Sequence, residues 1–216
     1  MVCHPQNLGV PPSEAMTLPA DVTIFNDDEA PPGESPYLPG YGPTTTVALV
    51  EYDPSWPAAY ERLAAKVNAV LGPQVLALDH VGSTSVPGLR AKPVIDIDLT
   101  VADVADEAAY VQALEPHGFE LVIREPWWYG HRLLRHSDPR CNLHVWSPNC
   151  PEPARHLIFR DWLRENPEDR DRYVRAKHAA AHRTRLSRGD VVDYNERKRD
   201  VIREIYARAF TSLGIA

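Results

Sequence analysis

The apolar residues of this chain repeat with two periods, one typical of helices and one typical of strands. A first helical stripe, which ends before Gly72, consists of Tyr60, Leu63, Val67 and Leu71. Runs of apolar, β-branched and aromatic residues predict five strands, at 75–81, 93–101, 119–124, 128–136 and 141–146. Turn residues between the last two strands predict a hairpin. The pattern therefore predicts an α/β fold with one mixed sheet.

Helical patterns also fill the gap between the second and third predicted strands and the C-terminal third of the chain. One helix begins at Asp103 or Asp106, and further helices follow from Pro153 and from Pro167. The last predicted helix covers 193–213 and buries the stripe Tyr194, Val201, Ile202, Ile205 and Phe210. These helices are expected to flank the sheet and to form a C-terminal helical region.

Residues 1–45 differ from the rest of the chain in composition. They contain nine of the 21 prolines and only short apolar pieces. Such a segment buries too little apolar surface to offset its own ordering entropy. We therefore expect a flexible or surface-draped arm at 1–45, followed by one domain at 46–216. An arm that reached the active site would be suited to act as a lid.

The charge of the chain is distributed unevenly. The formal net charge is −7, and residues 1–45 hold six acidic residues but no lysine or arginine. The remainder is nearly neutral, so it lacks the basic field that non-specific nucleic-acid binding requires. Three cysteines without CxxC spacing, and the lack of an apolar run long enough for a bilayer, predict a cytoplasmic protein with no membrane partner.

Two carboxylates alternate within the second predicted strand. Asp96 and Asp98 are two residues apart, so an extended strand directs both to one face, in the apolar context of Ile95, Ile97 and Leu99. Two acids held together repel each other unless a cation lies between them. The pair is therefore a candidate Mg²⁺ site. The alternative is a solvent-facing edge strand whose acids only add solubility.

A Gly-Ser turn precedes this strand. Gly82 allows a sharp turn and close approach to a ligand, and the turn amides suit phosphate oxygens. The hydroxyls beside it belong to Ser83, Thr84 and Ser85. A turn of this kind is ordinary by itself. Followed by the two acids, it indicates nucleotidyl or phosphoryl transfer in which Mg²⁺ bridges triphosphate oxygens.

Several separate blocks of the sequence occur in the order of a known family. They lie at 80–88, 92–98, 142–146 and 159–164, with Tyr194 and Lys198 as a further match. Together they resemble the GrpB family of the nucleotidyltransferase superfamily. The resemblance covers residues 46–210 and leaves the arm outside. It implies a nucleotidyltransferase-like mixed sheet and a reaction that uses a nucleoside triphosphate, ATP foremost, with Mg²⁺. A similar domain is fused after dephospho-coenzyme A kinase in some bacteria, which implies nucleotide handling more firmly than any one substrate.

The strand at 141–146 lacks the third carboxylate of the superfamily pattern. Asn142 and His144 alternate there, so His144 takes the place of a general base or a third metal ligand. Imidazole is a poor Mg²⁺ ligand but accepts a proton near neutral pH. The alternative is a hydrogen-bonded structural histidine. Because the third carboxylate is missing, ordinary two-metal catalysis is not expected of this chain.

Basic residues supply the charge that a triphosphate requires. The resemblance points to Lys92, Arg160 and Lys198 as phosphate-binding residues. The other candidates are interpreted as solvated surface charges, and they are Arg132, Arg140, Arg164 and Lys177. Only four lysines occur beside 19 arginines, so a lysine within a motif is informative.

The leading hypothesis is a Mg²⁺-dependent nucleotidyltransferase that modifies a small-molecule acceptor. Asp96 and Asp98 would bind the metal, and His144 would orient or deprotonate the acceptor. An ATP-dependent phosphotransferase or ligase at the same site is a second hypothesis, because the third acid is missing. A third is a module that binds a nucleotide or a coenzyme A-like ligand without catalysis. The sequence leaves the acceptor, the nucleobase and the oligomeric state open.

Overall fold

The computed structural model describes residues 18–27 and 30–215. Its strands are β1 (Ala77–Val81), β2 (Ile95–Thr100), β3 (Phe119–Glu125), β4 (His131–Ser137) and β5 (Arg140–Trp146). Its α-helices are α1 (Trp56–Leu71), α2 (Glu107–Leu114), α3 (Pro151–Glu165), α4 (Pro167–Leu186), α5 (Val191–Glu196) and α6 (Arg199–Leu213). The predicted mixed α/β fold is confirmed, and each of the five predicted strands is present.

The five strands form one sheet in the order β1-β2-β5-β4-β3. β2 and β5 run parallel, whereas the other neighbouring pairs run antiparallel. In the parallel pair Asp96 lies opposite Asn142, and Asp98 lies opposite His144. Because side chains alternate across a strand, these four side chains share one face of the sheet.

The opposite face of the sheet carries the main hydrophobic core. Ile95, Ile97 and Leu99 are at most 2% exposed and belong to one cluster with residues of α1 and α2. Full burial of an aliphatic side chain is worth about 1.5–3 kcal/mol. This alternating burial fixes the face to which Asp96 and Asp98 point, since a slip of one residue would exchange the two sets.

Local sequence signals set the limits of α1. The carboxylate of Asp53 accepts a hydrogen bond from the backbone amide of Ser55 at 2.8 Å, just before the helix begins. Pro57 lies in the first turn, where a missing amide hydrogen costs no helical bond. The helix ends at Leu71, where Gly72 takes a positive φ of 52°. Its buried face includes Leu63 and packs on the sheet.

The polar face of the sheet is covered by α3, α4 and α6, which contact one another. A second, smaller core joins these helices to the chain that follows the Gly-Ser turn, and its members are Val86, Leu89, Leu163, Tyr173 and Ile205. Helical side chains are thereby held over the polar face. Within residues 18–27 and 30–215, none of the helices has the length and hydropathy that a membrane span requires.

The helix predicted over 193–213 is in fact two helices, α5 and α6. Asp190 caps α5, because its side chain accepts hydrogen bonds from the amides of Val192 and Asp193. The chain then turns at Arg197 and Lys198 before α6 begins. The prediction of one continuous helix is wrong because the apolar stripe continues across the turn, and periodicity alone does not detect the interruption.

A short N-terminal segment lies against the domain. Val22 is 3% exposed, and Arg155 Nη1 of α3 donates a hydrogen bond to the carbonyl of Ile24 at 2.5 Å. Asp27 forms an ion pair with Arg203 of α6. The part of the predicted arm at 18–27 therefore has fixed contacts, while residues 1–17 lie outside the described residues.

Replacement of Gly82 by alanine tests the close packing of the Gly-Ser turn against β2. A Cβ at Gly82 would lie 2.4 Å from Asp96 Oδ2, and the backbone φ of 67° is unfavourable for alanine. We expect Gly82→Ala to lower the free energy of unfolding by roughly 2 kcal/mol, measured by chemical denaturation. Gly88→Ala is the matched control, because its φ is also positive, at 77°, but no atom lies within 4 Å of the added Cβ. Equal losses in the two variants would contradict this account.

Candidate active site

A cleft of about 580 Å³ opens on the polar face of the sheet. One wall is the Gly-Ser turn and the chain leading into β2, and the other comes from α3 to α6. Among the predicted site residues, Asp98 and Ser85 do not line the cleft. The others do, and they are Gly82, Ser83, Thr84, Lys92, Asp96, His144, Arg160 and Lys198.

Of the two predicted acids, Asp96 is the one that faces the cleft, which Asp27, Glu152 and Glu196 also line. Its Oδ1 accepts a hydrogen bond from Asn142 Nδ2 at 2.9 Å, and its side chain is 29% exposed. Burial raises the pKa of Asp96, and the charges of Lys92 and Lys198 oppose that effect. Asp96 is therefore accessible to a ligand and has positive charge around it.

Asp98 lies beneath the cleft and is 2% exposed. Its Oδ1 accepts a hydrogen bond from Trp146 Nε1 at 2.9 Å, and its Oδ2 accepts one from His156 Nδ1 at 2.7 Å. Burial alone would raise the pKa of Asp98, but the charge and hydrogen bond of His156 outweigh it and lower that pKa. Burial would likewise lower the pKa of His156, but the Asp98 charge raises it to about 9. The two residues form an ion pair between β2 and α3, in which Asp98 is buried and His156 is 29% exposed at the cleft wall.

The residues as placed do not fit a Mg²⁺ ion held between the two predicted ligands. Mg²⁺ requires nearly ideal octahedral oxygen ligation, whereas both oxygens of Asp98 already accept hydrogen bonds and His156 supplies the compensating charge. Across the described residues, no three His, Cys, Asp or Glu side chains form a group suited to a metal ion. Coordination of Mg²⁺ by both Asp96 and Asp98 would require Asp98 to lose its hydrogen bonds with Trp146 and His156.

His144 lies beside Asp96 in the cleft. Its Nε2 is 4.0 Å from Asp96 Oδ1, and its Nδ1 is 3.0 Å from His131 Nε2. Burial, followed by the effect of His131, lowers the pKa of His144 to about 3, so the ring is neutral near pH 7. The neutral ring can accept a hydrogen bond in the cleft, but a pKa this far below 7 makes it a weak proton acceptor.

The Gly-Ser turn is held by internal hydrogen bonds. The hydroxyl of Ser85 donates to the carbonyl of Gly82 at 2.6 Å, and Ser85 is buried. The side chain of Ser85 therefore stabilises the turn and does not line the cleft, where it was predicted to bind phosphate. Thr84 Oγ1 lies 3.1 Å from His80 Nε2, so it too has a partner within the protein. Gly82 and Ser83 are the more open residues of the turn.

Two arginines of α3 bind the backbone around this turn. Arg160 Nη1 donates to the carbonyl of His80 at 3.1 Å, and the rest of its guanidinium pairs with Asp161. Arg164 Nη2 donates to the carbonyl of Ser85 at 2.8 Å. Arg160 lines the cleft but is already engaged, and Arg164, predicted as a solvated surface charge, anchors the turn.

The remaining two arginines have contrasting surroundings. Arg132, also predicted as a surface charge, is buried, and its Nε donates to Glu107 Oε1 at 2.6 Å. That prediction is wrong because the carboxylate of Glu107 makes burial of the arginine acceptable. Arg140 is exposed at the start of β5, as predicted.

Three of the four lysines of the chain line the cleft. The ammonium groups of Lys92 and Lys198 lie 5.5 and 4.6 Å from the ring centroid of Tyr194. Burial lowers the pKa of Lys198 to about 8, and the charge of Asp96 limits that effect. Lys177, predicted as a surface charge, is 2% exposed and donates to a backbone carbonyl at 2.6 Å. This grouping of lysines suits an anionic ligand.

His156 is a site residue that sequence reasoning missed. It lies four residues after Glu152, and this spacing places both side chains on one face of α3. This spacing is visible in the sequence, but it does not indicate that the helix face with Glu152 and His156 lies against Asp98. The pairing arises from the way α3 crosses the sheet.

Residues 25–27 also line the cleft, and they belong to the N-terminal arm for which a lid role was considered. The ring of Phe25 lies between two guanidinium groups, 5.1 Å from Arg155 and 5.2 Å from Arg203. It also packs against Tyr206, with ring centroids 5.4 Å apart. These partners belong to distant helices, so only tertiary structure identifies the segment as part of the cleft wall.

This chain is similar to known proteins in sequence. The family profile described as GrpB protein matches residues 46–208. A UPF0157 protein of Halalkalibacterium halodurans is 48% identical over 165 residues, which cover 76% of this chain and 83% of that protein. A dephospho-CoA kinase of Mycolicibacterium paratuberculosis is 31% identical over 190 residues, which cover 76% of this chain and 46% of the kinase.

The fold is also similar to a solved structure. The crystal structure of the conserved protein GrpB from Enterococcus faecalis matches with a TM-score of 0.66 and 31% sequence identity. The match covers 77% of this chain and 99% of that one. The N-terminal residues at 18–27 precede the segment that the family profile matches.

Replacement of His156 tests its ion pair with Asp98 through the pH dependence of stability. The pKa of His156 is raised from 6.5 to about 9, so its stabilising effect is complete below pH 6.5 and disappears as the pH rises through 9. We expect the difference in free energy of unfolding between wild type and His156→Asn to shrink by about 3 kcal/mol from pH 6.5 to 9.5. Chemical denaturation across this range measures it.

His182→Asn, at an exposed position of α4, is the matched control for that series. It is expected to follow the wild type at every pH. A His156→Asn difference that stays constant with pH would show that the histidine is not charged in the folded protein.

Proposed function

This chain belongs to the GrpB family, and we propose that it is a nucleotidyltransferase that uses a nucleoside triphosphate, ATP foremost, to modify a small-molecule acceptor. The observation that carries the proposal is the convergence of three lysines, the Gly-Ser turn and the accessible acid Asp96 on one cleft. A volume of about 580 Å³ is within the usual range of ligand pockets.

The charge of the cleft supports a polyphosphate ligand. Lys92, Lys177 and Lys198 line it, and Asp96 is the acid beside them that lowers their mutual repulsion. Lysine acts on phosphate as a point charge, and partial exclusion of water strengthens the attraction. The aromatic lining, which includes Phe159 and Tyr206, offers apolar surface to the rest of a nucleotide.

The proposed reaction uses the pair formed by Asp96 and His144. A hydroxyl of the acceptor hydrogen-bonds to these two groups and gives its proton to His144 Nε2 as its oxygen attacks the α-phosphorus. The bond between the α-phosphorus and the oxygen bridging to the β-phosphate breaks, and pyrophosphate leaves. The lysines stabilise the charge that develops on that leaving group. When bound to the triphosphate, Mg²⁺ would supply neutralisation of phosphate charge.

A second candidate function is nucleotide or coenzyme A binding without catalysis. It is favoured by the internal hydrogen bonding of Asp98, which removes one of the two acids expected to do chemistry. The similarity to proteins named dephospho-CoA kinase, over less than half of their length, also fits a non-catalytic module beside an enzyme.

Transfer of the terminal phosphoryl group of ATP is distinguished from nucleotidyl transfer by its product, since it releases ADP rather than pyrophosphate.

Substitution of Lys198 tests the binding step. We expect Lys198→Gln to weaken nucleoside triphosphate binding by about tenfold or more, since a charged hydrogen bond to phosphate contributes about 1.5–3 kcal/mol. Thermal shift with each of the four nucleoside triphosphates, with and without Mg²⁺, measures this, because a ligand of the folded state raises the melting temperature. Lys66→Gln is the matched control, since Lys66 contacts His136 outside the cleft. No shift of the wild type with any triphosphate would contradict the proposal.

Substitution of Asp96 tests the chemical step. We expect Asp96→Asn to fold normally and to reduce turnover by about 100-fold, the usual effect of losing one group that acts in the transition state. Turnover is measured as pyrophosphate release across a panel of hydroxyl and amine acceptors. Full turnover by the variant would exclude the role of Asp96, and binding without pyrophosphate release would favour the second candidate.

A further inference from the structure

A line of hydrogen bonds runs from the end of β3 to His144. Glu125 Oε2 lies 2.6 Å from His131 Nδ1, and His131 Nε2 lies 3.0 Å from His144 Nδ1. His144 Nε2, at the far end, faces the cleft 4.0 Å from Asp96 Oδ1. The line thus joins a carboxylate outside the cleft to a nitrogen inside it through two imidazole rings.

The protonation states of the three groups determine which nitrogen donates and which accepts in each hydrogen bond. An ionised carboxylate only accepts hydrogen bonds, so Glu125 takes the hydrogen on His131 Nδ1. When His131 is neutral it has a single N–H, so its Nε2 accepts, and the hydrogen of this contact lies on His144 Nδ1. His144 is neutral as well, and its Nε2 therefore carries a lone pair and no hydrogen.

We propose that Glu125 and His131 are positioning residues that hold His144 in the Nδ1–H tautomer, with its Nε2 free to accept a proton in the cleft. The tautomer follows from the two hydrogen bonds when Glu125 is ionised and both rings are neutral, whereas its use in proton transfer rests on the function proposed above. Orientation of a histidine base by a hydrogen-bonded partner is a general device, and loss of the partner usually lowers activity strongly. Here a second histidine lies between the carboxylate and the base.

Packing holds the two rings in this arrangement. His131 is 3% exposed, and its ring stacks on Trp146 at 4.5 Å between centroids and on His144 at 5.1 Å. Trp128 meets His131 edge-on at 5.3 Å. A ring flip of His131 would break both of its hydrogen bonds within a buried aromatic cluster. The line is therefore a rigid feature of β4 and β5.

The tautomer also restricts what binds next to it. Asp96 Oδ1 and His144 Nε2 are both acceptors, and 4.0 Å separates them. One donor atom can lie within hydrogen-bond distance of both, at about 2.9 Å from each. We therefore expect the acceptor substrate to present an O–H or N–H group at this point, and not a carboxylate.

Nitrogen NMR of the full chain tests the tautomer without any need for turnover. Histidine labelled with ¹⁵N is observed by long-range ¹H–¹⁵N correlation at pH 8, well above the ordinary histidine pKa of about 6.5, and His144→Asn identifies the signals of His144. We expect a protonated Nδ1 and an unprotonated Nε2 at His144. An Nε2–H tautomer, or a doubly protonated ring at either His131 or His144, would overturn the proposal.

Two variants test the cause of that tautomer. His131→Phe keeps the stacked ring but removes the acceptor, so His144 is expected to become a mixture of tautomers. Glu120→Gln, an exposed glutamate of the same strand as Glu125, is the matched control and is expected to change nothing. An unchanged pure tautomer in His131→Phe would overturn the proposal as well.

A kinetic measurement separates this inference from the proposed function. If the wild type turns over, Glu125→Gln is expected to lower kcat by about 10–100-fold while KM for the triphosphate stays unchanged, because Glu125 does not line the cleft. An unchanged kcat, or a change in KM alone, would overturn the positioning role. If the wild type shows no turnover, the proposed function fails. The NMR result still decides whether Glu125 and His131 hold His144 in the Nδ1–H tautomer.

Discussion

The parallel pairing of β2 with β5 is the constraint on which the rest of the site depends. It places Asp96 beside Asn142 and Asp98 beside His144, on the face of the sheet opposite the hydrophobic core. The core residues of β2 fix this arrangement, since their burial makes a register slip costly. All other parts of the cleft are brought to these four side chains by helices and turns.

The two acids of β2 have the same chemistry but different neighbours, and the neighbours decide what each one does. Asp98 lies under α3, where His156 and Trp146 occupy both of its oxygens. Asp96 lies nearer the Gly-Ser turn, where the absence of a side chain at Gly82 leaves room for its carboxylate. One acid thus serves the structure by holding a charged histidine, and the other faces the cleft.

Much of the fold and part of the site follow from the sequence. Strand periodicity predicts that Asp96 and Asp98 share a face, and the Gly-Ser turn is predicted to lie beside them, because both signals are local. The role of Lys177 and the partner of Asp98 depend on which helix crosses the sheet, which periodicity does not determine. The turn at Lys198 is missed for a similar reason, since an apolar stripe continues across it.

The central claim is that the two acids have unequal roles in a cleft made for an anion. A crystal structure of the chain with Mg²⁺ and a non-hydrolysable nucleoside triphosphate tests it most directly. The account predicts phosphates against Lys92, Lys177 and Lys198, with Asp98 still bonded to His156. A triphosphate bound elsewhere, or Asp98 released from His156 and ligating a metal ion, would contradict it.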